Sequence, residues 1–179
     1  MVDKVNKRVL NQGEKDLVKN DICFNKALKH SLLLLKYRAR TKKEICQRLK
    51  QKGWKDSVII KVVNRLEDNK FLNDKEFVDL FIESSLSKGW GPKRVFFYLK
   101  KFGIEFDFRK NINEQDDNFI KVLRKNIKIM ISSYSSQDYE MRRKKFLGMI
   151  LRSMVAKGFE AEVVFREMNS LEEEYFEDK

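Results

Sequence analysis

Cysteine, histidine, proline and glycine are all scarce. The two cysteines among 179 residues, Cys23 and Cys46, lack metal-ligand spacing and cannot build a disulfide framework, which fits a reducing cytoplasm. His30 is the one histidine. A cage of several imidazoles is therefore excluded, and a His-dependent nucleophile would have to use this residue alone. One proline and seven glycines supply little turn chemistry, so the chain reads as mostly helical. The longest purely aliphatic run, Leu32 to Leu35, is far short of the ~20 residues of a membrane span. Residues 1–20 are polar throughout and do not read as an export signal. A soluble, cytoplasmic, monomeric protein is expected. No glycine-rich loop ends in Gly-Lys-Ser or Gly-Lys-Thr, which argues against ATP hydrolysis by this chain. Asp74, Glu76 and Asp79 read as helix-start charges favoured by the macrodipole rather than as a metal or acid–base set. Neither an enzyme nor a cofactor is expected.

What is present is apolar material and positive charge. Hydrophobic residues make up 42% of the chain and aromatics 12%, enough to bury a core. The formal net charge is +12. Residues 21–103 hold 20 basic and nine acidic side chains, so nearly all the excess lies in that segment. Such a charge speaks of partners rather than of fold. Part of it reflects a general preference for lysine, 27 against 12 arginines.

Periodicity then divides the chain. Residues 1–24 are expected as a loose N-terminal arm. From Asn25 an apolar stripe of Ala27, Leu28, Ser31, Leu32, Leu34 and Leu35 predicts a helix to Tyr37. Thr41 and Glu44 have the spacing of a capping box, opening a second helix with Ile45 and Leu49 inward. Gly53 closes it, and Trp54 folds back as an apolar contact. A third helix starts at Asp56 or Ser57 with Ile59, Val62, Val63 and Leu66 on one face. The pattern then repeats. Asn73 to Glu76 opens a helix with Phe77, Leu80, Phe81 and Ser84 inward. Gly91-Pro92 starts the next, which carries Val95 and Leu99. Asp117 to Ile131 and Tyr139 to Lys157 are expected as helices, with Phe119, Leu123, Ile127 and Met130 inside the first. Val163, Val164, Met168 and Leu171 mark a last one. The punctuation aligns as Leu49-x-x-Lys52-Gly53-Trp54, Leu99-x-x-Phe102-Gly103-Ile104 and Met154-x-x-Lys157-Gly158-Phe159.

The expected architecture is all-α: an elongated, curved array of three tandem three-helix repeats, over residues 25–72, 73–116 and 117–179. The third helix of the second repeat is degenerate and the last repeat ends in an acidic tail.

Basic residues recur near the start of the second helix of each unit: Arg38, Arg40, Lys42 and Lys43; Lys88, Lys93 and Arg94; Arg142, Arg143, Lys144 and Lys145. Helix starts favour acids, so cations placed there suggest an outside use. If the repeats stack in register these groups form a stripe facing DNA phosphates or an acidic protein surface. Trp90, just before Gly91-Pro92, is a further candidate contact.

The ordered set Ala27-Leu28, Leu35, Arg40-Thr41-x-x-Glu44-Ile45, Leu49-x-x-Lys52-Gly53, Val62, Leu66, Leu72-Asn73-Asp74-x-x-Phe77, Gly91-Pro92-x-Arg94 and Leu99-x-x-Phe102-Gly103-Ile104 resembles the RecX family, bacterial regulators of the RecA recombinase. The likeness covers roughly residues 26–106 and, more loosely, 139–171. Residues 106–118 and the acidic ending Glu172 to Asp178 depart from the family pattern. The resemblance implies a non-enzymatic, all-helical protein that lodges in the groove of the RecA–DNA filament. There it would modulate, and mostly lower, strand exchange, ATP hydrolysis and coprotease activity in DNA repair and recombination. RecA is the implied partner, with single- or double-stranded DNA met through phosphates. The competing reading is a sequence-specific helix-turn-helix DNA-binding protein. Against it, base-reading Asn, Gln and Arg are not concentrated on one helix.

Overall fold

The computed structural model describes residues 12–104, 116–133 and 136–176. Those residues form eight α-helices and no strand, as the all-α expectation requires. The expected irregular stretch 106–118 falls largely outside the described residues.

Helix α1, Gln12–Tyr37, begins well before Asn25. Residues 12–24 are therefore helical and not a loose arm. A helix held by one packed face propagates cheaply through good formers such as Glu14, Lys15, Leu17 and Lys19, even where polarity blurs the apolar period. Leu32 is exposed, while Ala27 and Ser31 are fully buried. The buried Ser31 hydroxyl donates to the Ala27 carbonyl at 2.9 Å, which satisfies it within the apolar face.

Helix α2, Lys42–Gln51, starts at the expected capping box. Thr41 Oγ1 accepts from the Glu44 amide at 3.3 Å, and the Glu44 carboxylate accepts from the Thr41 amide at 3.4 Å. Helix α3 spans Asp56–Asp68 and α4 spans Asp74–Ser87. The chain divides into two compact units between Phe77 and Val78, inside α4. In the first, Ala27, Ile45, Leu49, Val58, Ile59, Val62, Val63, Leu66 and Leu72 make one buried cluster. Half-buried Cys23, Phe24, Leu28, Leu34, Leu35, Cys46 and Trp54 pack against it. A remote contact completes α2: the Lys42 amide donates to Asp74 Oδ1 at 3.0 Å, satisfying one of the orphan donors of a helix start.

The second unit holds α5, Pro92–Lys101, α6, Asp117–Ser132, α7, Ser136–Ala156, and α8, Ala161–Phe176. Helix α7 is kinked at Arg142 (φ −129°, ψ 18°). Along α6 the buried face is Phe119, Leu123, Ile127 and Ile131, a strict four-residue step, so Ile131 rather than Met130 closes it. Arg124 joins α6 to α8, donating to Glu167 at 2.9 Å and to the Ser170 hydroxyl at 2.7 Å.

The inner face of α4 needs correcting. Phe77, Val78 and Ser85 are buried and Phe81 half-buried, whereas Leu80 is 50% exposed and Ser84 is exposed. Val78, Phe81 and Ser85 are spaced i, i+3, i+7, so the buried face is rotated from the expected one.

Helix closure follows one rule throughout. Gly53, Gly103 and Gly158 have φ of 80°, 81° and 96°. The next amide in each case, of Trp54, Ile104 and Phe159, donates five residues back to the carbonyl of Leu49, Leu99 and Met154 at 3.1–3.2 Å. This is the Schellman pattern anticipated from the aligned glycines. Gly89-Trp90 closes α4 in the same way, Trp90 donating to Ser85 at 3.0 Å, and Lys70-Phe71 closes α3 with a positive φ of 58° at Lys70.

Candidate functional site

The cationic candidates fall into three local settings. In the first unit, Arg38 grips Glu44 with both terminal nitrogens, at 3.1 and 2.5 Å. That hydrogen bond raises the arginine above its ordinary pKa. Arg40 approaches the same carboxylate at 3.8 Å and donates from Nε to the Leu34 carbonyl at 3.2 Å. Its side chain is only 12% exposed, and burial, with Arg38 alongside, lowers its pKa. Arg40 is thus largely covered, its guanidinium closing the gap between the end of α1 and the start of α2. Lys42 pairs with Glu67, whose hydrogen bond raises the ammonium's pKa. Lys43 is exposed.

In the second unit, the segment around α5 brings several candidates together on one indole. Trp90 is half-buried, with Tyr98 stacked on it (5.1 Å between centroids, 19° between planes) and Phe81 edge-on at 6.4 Å. The Arg94 guanidinium lies 4.5 Å from the Trp90 ring centre and the Lys88 ammonium 5.3 Å from it. Such cation–π contacts fix the position of charges that would otherwise swing freely. Lys93 pairs with Glu160. Trp90 is thus a pillar within its own unit, where the sequence suggested a bare contact residue. Sequence reasoning passed over Phe97, which is 62% exposed and edge-on to Tyr98 at 5.5 Å. Its place four residues after Lys93 and four before Lys101 was the available signal.

The third group, Arg142, Arg143, Lys144 and Lys145, is exposed and begins at the kink in α7. Arg143 donates to Glu172 of α8 at 2.5 Å. Of the twelve residues singled out, Lys88, Trp90 and Arg94 form one cluster, and Arg38 and Arg40 share Glu44. The carboxylates Glu44, Glu67, Glu160 and Glu172 that neutralise five of these cations were not anticipated as their partners, since three of them lie 25 or more residues away in sequence.

The second unit is also joined through backbone. Gly91 donates to the Lys157 carbonyl at 2.8 Å and Lys93 to the Gly158 carbonyl at 3.0 Å. The donor-rich start of α5 therefore sits on the acceptor-rich end of α7, which satisfies both. Asn126 of α6 bridges nearby, donating to the Gly89 carbonyl at 3.3 Å and accepting from Lys157 at 3.0 Å.

Among the described residues no helix is long and apolar enough to cross a membrane. Taken together, these features define a class: an all-helical protein of short helix units closed by glycine or lysine in a left-handed turn, with clustered cations and aromatics on its surface.

Comparison with known proteins places the chain within that class. The family profile described as "RecX, first three-helix domain" matches residues 23–66. The regulatory protein RecX of Bacillus subtilis (strain 168) is 30% identical over 162 residues, covering 87% of this chain and 57% of that protein. Its counterpart in Bacillus velezensis is 32% identical over 133 residues, covering 68% and 51%. The chain therefore spans little more than half the length of these two relatives. The crystal structure of RecX from Lactobacillus salivarius superposes with a TM-score of 0.69 at 21% identity, covering 85% of this chain and 98% of that one. A second, of regulatory protein RecX, gives 0.67 at 17% identity, covering 96% and 81%. These two likenesses establish the fold. The chain belongs to the RecX family.

Proposed function

We propose that this protein is a regulator that binds in the groove of the RecA–DNA filament in the cytoplasm and modulates, mainly inhibits, recombinase, ATPase and coprotease activity without catalysing a reaction itself. The observation that carries this reading is the 30% identity to a regulatory protein RecX along 87% of the chain. The surface supports it: each compact unit presents its own cations, Lys43 in the first and Lys88, Arg94, Lys144 and Lys145 in the second. Several modest contacts made at once by one chain add up to avidity on a repeating target. Cations held by intramolecular pairs, such as Arg38 on Glu44, contribute less to steering than Lys43, because their charge is locally neutralised.

The test is titration of the purified chain into preformed RecA filaments on single-stranded DNA, following ATP turnover and strand exchange. The expected result is a dose-dependent fall in both. Unchanged rates at filament-saturating amounts would overturn the reading. Footprinting without RecA that protects one defined sequence would instead support the helix-turn-helix alternative.

A further inference from the structure

We propose that the solvent face of α5 is a contact site for single-stranded nucleic acid, with stacking supplied by Phe97 and fixed positive charge by the residues around it. The inference rests on the reading above only for the choice of a DNA strand as probe.

Residues 88–101 contain five cations, four aromatics and no carboxylate. The helix sorts them. Val95 and Leu99 are fully buried, whereas Lys93, Phe96, Phe97, Lys100 and Lys101 are exposed. At 100° per residue those five occupy one continuous arc on the side away from the core. An exposed ring on an amphipathic helix is usually wasted surface. Here the ring of Phe97, 62% exposed, is the outermost of a chain of rings. It meets Tyr98 edge-on at 5.5 Å, and Tyr98 stacks on Trp90 at 5.1 Å. The ring is thus braced from behind and presented outward, which lowers the entropy lost when a flat partner stacks on it.

The charges are braced as well. Arg94 lies against the Trp90 ring at 4.5 Å and reaches the Ala156 carbonyl at 3.5 Å. These contacts leave part of its planar fork to face an anion. Lys88 stands on the same ring. Lys93 is partly neutralised by Glu160, so the active charges are Lys88, Arg94, Lys100 and Lys101. Arg94 and Lys101 are seven residues apart, about 10 Å along the helix axis, a span suited to a chain carrying repeated charges.

A polyanion with flat, unpaired rings matches this surface in both respects: phosphates meet the cations and a base meets Phe97. An acidic protein segment would satisfy the cations but leave the braced ring unused. Duplex DNA would hide its base faces.

The test uses the full chain without RecA and a fluorescein-labelled oligothymidylate of about 20 nucleotides, read by anisotropy across a salt series. The wild-type chain should bind the strand more tightly than a duplex of equal length. Phe97→Ala should weaken binding by about tenfold at every salt concentration without altering the salt slope. Lys100→Ala with Lys101→Ala should flatten the slope of log K against log salt by about 1.4, from ~0.7 for each phosphate contact on a single strand. All these positions are exposed, and unchanged circular dichroism establishes that the variants fold. Absence of oligonucleotide binding, tighter binding to duplex, or a Phe97→Ala variant that binds as wild type would each overturn the proposal. A chain that still slows RecA ATP turnover but ignores the oligonucleotide would sink this site and leave the regulatory reading standing. A chain that binds the strand through Phe97 while leaving RecA unaffected would do the reverse.

Discussion

Gly91 stands against Gly158 with no room for a side chain between them: a Cβ on Gly91 would fall 2.5 Å from the Gly158 carbonyl carbon and oxygen. The two glycines belong to the start of α5 and the end of α7. Their closeness is what lets the backbone bonds from Gly91 to Lys157 and from Lys93 to Gly158 form.

Gly91→Ala should therefore cost about 1–3 kcal/mol, as overpacking does where the neighbour is backbone and cannot yield. Gly148→Ala is the matched control. That glycine lies inside α7, where a Cβ would meet only an Arg152 side-chain nitrogen at 3.5 Å, and replacing a helical glycine with alanine stabilises by about 0.5–1 kcal/mol. Thermal unfolding of the two variants should shift in opposite directions. A Gly91→Ala protein that melts with the wild type would refute the close approach.

Leu49→Ala and Leu99→Ala remove fully buried side chains, one from each compact unit. Each should lose about 2–5 kcal/mol through transfer and cavity terms, while Lys43→Ala should stay within about 0.5 kcal/mol. Urea unfolding of the three variants measures this. Similar midpoints for all of them would show the core to be wrongly placed.

Arg40→Ala should separate from Lys43→Ala in stability, although the two lie three residues apart. Arg40 is largely covered and holds the Leu34 carbonyl at 3.2 Å, so its loss removes both packing and a charge-assisted hydrogen bond, about 1–3 kcal/mol. Lys43→Ala should act on filament regulation alone. The comparison is of denaturation midpoint against the concentration needed to halve RecA ATP turnover. Equal midpoints for the two variants would contradict the role given to Arg40.

Burial pushes the Cys46 thiol up, with smaller contributions in the same direction from Asp74 and Glu67. The folded protein therefore favours the protonated thiol. The associated stability is complete below the ordinary cysteine value of about 8.5 and is lost as pH rises through the higher folded value. In a Cys23→Ser background, alkylation of Cys46 at pH 8 should be slower in the native state than in urea. It should keep accelerating as pH rises beyond the range where the urea-unfolded thiol levels off. Identical pH profiles in both states would count against a buried thiol.

The legible part of this molecule was its local chemistry. The Thr41–Glu44 capping box, the Gly91-Pro92 start and the glycine closures are each decided within six residues, so spacing alone identifies them. The rotation of α4 was not legible, because Phe77, Val78, Leu80 and Phe81 are all apolar and only packing decides which of them face inward. Nor was the clustering of Lys88, Arg94 and Tyr98 on Trp90 visible, since aromatic stacking carries no periodic signature. The capping of α2 by Asp74 and the pairing of Lys93 with Glu160 depend on residues 32 and 67 positions apart, distances at which spacing says nothing. The start of α1 was missed for the opposite reason: its first turns are polar, and helix propagation carried the element past the point where the apolar pattern stops.

The join between α5 and α7 also provides a natural reporter. The amide protons of Gly91 and Lys93 are engaged by carbonyls more than 60 residues away rather than by their own helix. They can exchange with deuterated water only when the two helix ends part. Their exchange rates measure how often that seam opens, independently of any fraying at the chain's extremities.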